Sequence, residues 1–350
     1  MSFTTNLAVA AAVATVIPLA VLWLVSAQDT YSSVSRNALL WCVAGGLLAV
    51  AMAYAVNTAL LQSGRVQSEQ LRVVGSPIIE ELLKALPLCV LFWRRRVVYT
   101  VDAAVYGFAS GTAFAIGENL FYLTTVGGGL TLAAERACST SLLHGSATAM
   151  VGLALGKLRF QRPGRQTRPW PVITAVIAIA LRVFLRPALL FRAALLRHSG
   201  FNYIVGQESP YVVAAAIAVG VGATAVVVWL MHRGLADERR WIQDALAAAG
   251  VDAGETTLIG HLGAVHRYLT SIALQFGEDK REQLELLLRL EAQAGLKRKV
   301  QQLSADQRER ARLDQEIRRL DQQVAGLRHV VGKPCLAYFH RLSWATLGTV

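Results

Sequence analysis

Leu71–Trp93 reads LRVVGSPIIEELLKALPLCVLFW, a stretch apolar and long enough to cross a bilayer that nonetheless sets Glu80 and Glu81 side by side, with Lys84 one turn further on. About 20 helical residues at roughly 1.5 Å each span the hydrocarbon. Ionisable side chains at that depth cost several kcal/mol unless they face a cavity or a partner, so they mark candidate sites. The plainer reading is structural: Lys84 is reached at i+4 from Glu80 and i+3 from Glu81, and an ion pair would hold helices in register. Of the two, Glu80 has the better spacing.

The surrounding composition agrees with a membrane protein. Of 350 residues 54% are apolar, and the mean hydropathy is +0.42, more than a soluble core requires. Working outward, we expect an all-α fold: a polytopic transmembrane helix bundle of about seven spans followed by a C-terminal soluble helical module. The spans fall near Asn6 to Ser26, Ala38 to Leu61, Leu71 to Trp93, Val101 to Val126, Ala137 to Leu158, one within Val172 to Gly206, and Tyr211 to His232. The opening MSFTTN lacks the Lys or Arg of a secretory leader, so the first span is expected to stay as a membrane helix. Cys42, Cys89, Cys138 and Cys335 are widely spaced and suggest neither a zinc knuckle nor a disulfide framework.

Lys and Arg collect after the third span (Arg94, Arg95, Arg96), the fifth (Lys157, Arg159, Arg162, Arg165, Arg168) and the seventh (Arg233, Arg239, Arg240). Short cytoplasmic loops retain such residues, which places these loops and the C-terminus in the cytoplasm of a multi-pass plasma-membrane protein. The +12 net charge is then topological, and no basic run interleaved with aromatics argues for nucleic acid.

At about 1.5 Å per residue, Glu80 lies roughly 14 Å, Glu118 roughly 12 Å and His144 roughly 10 Å from the outer ends of their spans. Three neighbouring helices thus carry ionisable residues at one level, as a wet site in the outer half of the bilayer requires. His198 and Asn202, four apart and on one helix face, reach that level if the sixth span ends near Gln207. Pro187 then starts or kinks that span, with Arg182 and Arg186 at the cytoplasmic boundary.

The ordered pattern Glu80-Glu81-x-x-Lys84, Phe114-x-x-x-Glu118-Asn119, His144 in LLHGSATAMVG and His198-x-x-x-Asn202 resembles the PrsW family of intramembrane proteases, relatives of the type II CAAX prenyl endopeptidases. Asp102, Tyr106 and Gly107 in VDAAVYGFASGTAFAIGENLFYL agree with the family's second motif, and the resemblance runs from about Leu71 to Val205. It implies an endopeptidase acting on membrane-embedded protein or peptide substrates, anti-sigma factors among them. Gly145-Ser146-Ala147-Thr148 stands where family members often carry a bulky residue, and the fourth motif lies in an arginine-rich segment.

Peptide hydrolysis needs an activated water, donors for the oxyanion and a proton for the leaving amine. One of Glu80 and Glu81 suits the general base, with the other as the partner of Lys84; sequence does not choose between them. Glu118, His144 and His198, with Asn202 beside them, are donors for a divalent metal, zinc by donor type. A metal-free arrangement, in which glutamate activates water while His and Asn serve the oxyanion, is equally compatible. The bland readings are a core histidine at 144 and hydrogen-bonding asparagines between helices.

We divide the chain into a transmembrane protease-like domain, residues 1–233, and a cytoplasmic helical module, residues 234–350. Leu313, Ile317, Leu320, Val324, Leu327 and Val331 form a heptad seam, with Leu296, Val300 and Leu303 one phase away. Ser304 to Gln307 reads as a capping box between two helices of an antiparallel hairpin. A protein partner or self-association through residues 282–331 is the functional reading; solvated helix faces are the structural one. As alternatives to the enzyme, an inactive family member acting as a scaffold, or a transporter, is compatible with the same composition; a transporter should show internal repeats, and none is seen.

Overall fold

A computed structural model describes residues 3–31, 34–94, 99–125, 129–160, 212–259, 262, 265, 269–304 and 306–342. The expected sixth span, with Arg182, Arg186, His198 and Asn202, lies outside the described residues. Among the described residues every regular element is helical. We label the main helices α1 (Phe3–Ser26), α2 (Arg36–Gln62), α3 (Ser76–Trp93), α4 (Thr100–Thr125), α5 (Leu130–Cys138), α6 (Thr140–Phe160), α7 (Val212–Ala248), α8 (Ala253–Ile259), α9 (Thr270–Phe276), α10 (Glu278–Leu303), α11 (Gln307–Val331) and α12 (Lys333–Arg341).

The chain divides into two compact units, the boundary near the C-terminus falling within α7 between His232 and Arg233. Among the described residues, three helices are long and apolar enough to cross a membrane: Thr5–Ser26 of α1, Arg36–Gln62, and Ala214–Ala248 of α7. From Val101 to Ala115 every residue of α4 is buried, the pattern of a helix covered on all sides.

Apolar burial does not drive helices together in lipid, so close packing must come from small residues. Glycines supply it here. A Cβ on Gly111 of α4 would fall 2.2 Å from the His144 carbonyl oxygen of α6, and one on Gly152 of α6 would fall 1.9 Å from the Ala103 carbonyl oxygen of α4. Gly107 and Gly156 extend the same contact. On the other side, Gly46 of α2 meets the Ser110 backbone and Gly45 meets the Pro87 ring of α3. The backbones therefore touch, with no layer of side chains between.

Two differences from the expected spans bear on the site. Leu71–Trp93 is not one continuous α-helix: a single turn at Ser68–Gln70 leads into a π-helical segment, Leu71–Gly75, before α3 begins. Pro77 stands at the start of α3, where the π-helical turn passes into α-helix. And Ala137 to Leu158 is broken at Ser139, with α5 as a separate helix before it. Ser139 caps the α5 end, its amide donating to the Glu135 carbonyl at 3.0 Å and its hydroxyl to the same oxygen at 2.6 Å.

In the second unit, α10 and α11 are joined by a short turn in which Asp306 caps α11, accepting from the Arg308 amide at 2.8 Å. Glu309 accepts from the Ser304 hydroxyl at 2.7 Å rather than from a backbone amide, so the turn is a variant of the expected capping box. Lys297 pairs with Glu316 and Arg298 with Asp321, both at 2.6 Å, along the α10–α11 contact.

Candidate functional site

The polar centre of the first unit begins on α3. Glu81 and Lys84 are completely buried, and the Lys84 ammonium donates to Glu81 Oε1 at 2.6 Å. The spacing preference for Glu80 is thus corrected: the pair found is i,i+3. Glu80 accepts from the Ser76 hydroxyl at 2.6 Å, and Ser76 in turn accepts from Asn57 Nδ2 of α2 at 2.7 Å. The π-helical segment just upstream shifts the register of the helix bearing both glutamates, a feature often found next to functional residues.

His144 reaches this pair from α6, its backbone held against Gly111. Its Nδ1 lies 2.7 Å from the Lys84 nitrogen, and its Nε2 lies 3.1 Å from Glu118 Oε2 of α4. An ammonium has only donors, so Nδ1 accepts and the Nε2 proton is directed to Glu118. Phe114 covers the junction: the Lys84 nitrogen is 4.6 Å from its ring centroid and the His144 ring 5.1 Å. The motif phenylalanine therefore offers its π face to a buried cation. Thr148, from the run of small residues after His144, donates to the His144 carbonyl at 3.0 Å and stands 3.5 Å from Glu81 Oε2.

One charged member escaped the sequence reading. Arg136 of α5 pairs with Glu118 Oε2 at 3.0 Å and donates from Nε to Asn119 Oδ1 at 2.9 Å. A signal was present, since Arg136 is the single Lys or Arg between Arg96 and Lys157 and falls on the side assigned to the exterior, where basic residues are disfavoured. Tyr122 lies within electrostatic reach of Glu80, Glu118, Arg72 and Arg136, so these groups converge on one region.

Of the seven expected site residues, Glu81, Lys84, His144 and Glu118 form one continuous chain of contacts across three helices. Glu80 neighbours it on α3. His198 and Asn202 lie outside the described residues. Carboxylates, an ammonium and an imidazole enclosed among apolar helices are the equipment of an integral-membrane hydrolase. The model of the PrsW family, described as intramembrane metalloproteases, matches residues 34–231. The chain belongs to this family, and it is an intramembrane protease. No curated protein and no solved structure matches it.

The family's metal chemistry can be tested against the donors. Two ligands about 2.0–2.1 Å from one tetrahedral ion are a little over 3 Å apart, and the 3.1 Å between His144 Nε2 and Glu118 Oε2 suits such a pair. Among the described residues no three His, Cys, Asp or Glu side chains form a complete set. What the described residues bring together is one imidazole and one carboxylate, donors of the types a divalent ion takes.

Proposed function

We propose that the chain hydrolyses a membrane-associated protein, of the kind typified by a membrane-tethered anti-sigma factor, by glutamate-activated attack of water. The observation that carries the proposal is the run of contacts Glu81–Lys84–His144–Glu118 across α3, α6 and α4.

Roles follow from engagement. Glu81, fully buried on Lys84, is the structural partner; it keeps the ammonium in place without exposing it. Glu80, held by the Ser76 hydroxyl, is assigned as the general base that takes the proton from water. Glu118 and His144, together with His198, would hold the divalent ion, zinc by donor type. When bound, that ion supplies Lewis acidity to polarise the scissile carbonyl and stabilise the oxyanion. Were His144 Nε2 to hold the ion, the imidazole proton would lie on Nδ1, and Lys84 would either turn away from Nδ1 or accept from it as a neutral amine. Lys84 thereby links the state of the acid pair to that of the imidazole. Asn202 is assigned to the oxyanion.

In this reading seven spans cross the plasma membrane, residues 1–233 form the protease domain opening to the non-cytoplasmic side, and residues 234–350 form a cytoplasmic module whose hairpin offers a surface for a protein partner or a second copy. The test is cleavage of a co-expressed membrane-tethered substrate. Glu80→Gln should abolish cleavage while the protein remains in the membrane at wild-type amount. Wild-type cleavage by the Glu80→Gln, Glu81→Gln double variant would refute the glutamate mechanism.

A further inference from the structure

We infer that Arg136 is a positioning residue of the protease site, one that sets the Glu118 carboxylate against His144 and locks the second motif to the start of α6. The inference rests on the proposed role of Glu118 and His144 as ligands.

A guanidinium is a planar fork, and here it meets two consecutive residues: Nε donates to Asn119 Oδ1 at 2.9 Å, while Nη2 lies 3.0 Å from Glu118 Oε2 as an ion pair outside hydrogen-bond geometry. The plane of the fork is itself fixed, because Cζ lies 3.9 Å from the centroid of the Tyr122 ring. Asn119 does not stop the chain of bonds. Its Nδ2 donates to the Ser141 hydroxyl at 2.9 Å, and Ser141 donates to the Arg136 carbonyl at 3.3 Å. Arg136, Asn119 and Ser141 thus form a closed circuit, in which no member can rotate without breaking two contacts.

The circuit ends on the atom that matters. Glu118 Oε2 takes both Arg136 and His144 Nε2, so the arginine decides where that oxygen sits relative to the imidazole. The helix that delivers Arg136 is anchored one turn earlier, where Ala133 of α5 packs against Ala10 and Ala14 of α1 and Leu123 of α4. A lysine at 136 would keep the charge but, as a point donor, could not serve Glu118 and Asn119 together in a stacked plane. Charge neutralisation alone would tolerate that exchange; positioning would not.

Partners that orient metal ligands are typically worth about 10–100-fold in metal affinity. The experiment therefore uses the full chain in detergent micelles, titrated with zinc against a fluorescent chelator, alongside cleavage kinetics. Arg136→Lys and Arg136→Gln should each weaken zinc binding about 10–100-fold and lower kcat at limiting zinc. Added zinc should restore kcat, and KM for the substrate should stay at its wild-type value. Glu118→Gln, run in parallel, should lose zinc binding altogether. Wild-type zinc affinity in Glu118→Gln would show that Glu118 is no ligand, overturning both readings. Zinc loss in Glu118→Gln with wild-type affinity and cleavage in Arg136→Lys would overturn the positioning role alone. Should Arg136→Gln fail to fold by size-exclusion profile, Arg136→Lys decides, since it keeps the counter-charge to Glu118.

Discussion

The Lys84 ammonium lies 2.7 Å from Nδ1 of His144, a residue 60 positions further along the chain and on a different helix. Because the same ammonium is held by the buried Glu81, it cannot be removed without leaving that carboxylate uncompensated. Loss of one partner of a buried ion pair costs about 3–5 kcal/mol. Lys84→Met should therefore lower the thermal midpoint in micelles and abolish cleavage. The Glu81→Gln, Lys84→Met double variant should regain most of the stability and none of the activity. A Lys84→Met protein as stable as wild type would contradict the pairing.

The contact between α4 and α6 makes a sharper structural forecast. Gly111→Ala places a methyl 2.2 Å from the His144 carbonyl oxygen, and backbone cannot yield as a flexible side chain can. The variant should give little folded protein by fluorescence-detected size exclusion. Gly326→Ala in α11 meets nothing within 4 Å and should stabilise by about 0.5–1 kcal/mol, as Gly-to-Ala exchange within a helix does. Equal behaviour of the two variants would dismiss the close approach.

Much of the site is readable from sequence, and the reasons differ by residue. Glu80, Glu81, Glu118 and His144 stand out because ionisable groups are costly in apolar segments, and their matched depths bring three helices together on spacing alone. Hydropathy, by contrast, does not register a π-turn, so Leu71–Gly75 reads as ordinary helix. The choice of Glu81 over Glu80 for Lys84 depends on which way α3 faces, which spacing leaves open. Arg136 is hidden because the residues between two apolar runs read as a loop, whereas a tight stop at Ser139 turns them into α5. The glycines are visible as composition but not as contacts, since pairing Gly111 with His144 requires knowing that α4 lies on α6.

Acidity should act on the second unit. Arg328 Nη2 donates to Glu255 Oε1 at 2.7 Å and to Glu291 Oε1 at 2.6 Å, while His340 Nε2 lies 3.3 Å from the other Glu255 oxygen. Burial, reinforced by the charge of Glu255, pushes the Glu291 carboxyl up from 4.5 to about 8. Between those values the folded unit holds a proton that the unfolded chain has released. The associated stability is thus complete below the lower value and is lost as pH rises towards the upper one, by roughly 1 kcal/mol per unit. Thermal unfolding of the full chain from about pH 5 to about pH 9 should show a decline that Glu291→Gln removes. Parallel profiles for the two proteins would eliminate Glu291 as the source.

For the fourth motif, single cysteines report topology. If the sixth span runs outward from Pro187, Arg186→Cys should react with an impermeant thiol reagent only from the cytoplasm, and Gln207→Cys only from outside. His198→Ala should then abolish cleavage. Labelling of both positions from one side, together with a silent His198→Ala, would remove His198 from the site.

Where Gly111 and Gly152 meet their neighbours' carbonyls, the distance between α4 and α6 is a fixed gauge, set by main chain alone. Donor side chains can be exchanged on either helix without altering that gauge. An engineer wishing to alter this protease therefore has a constant aperture and a set of interchangeable fittings, and should leave the glycines untouched while varying positions 118 and 144.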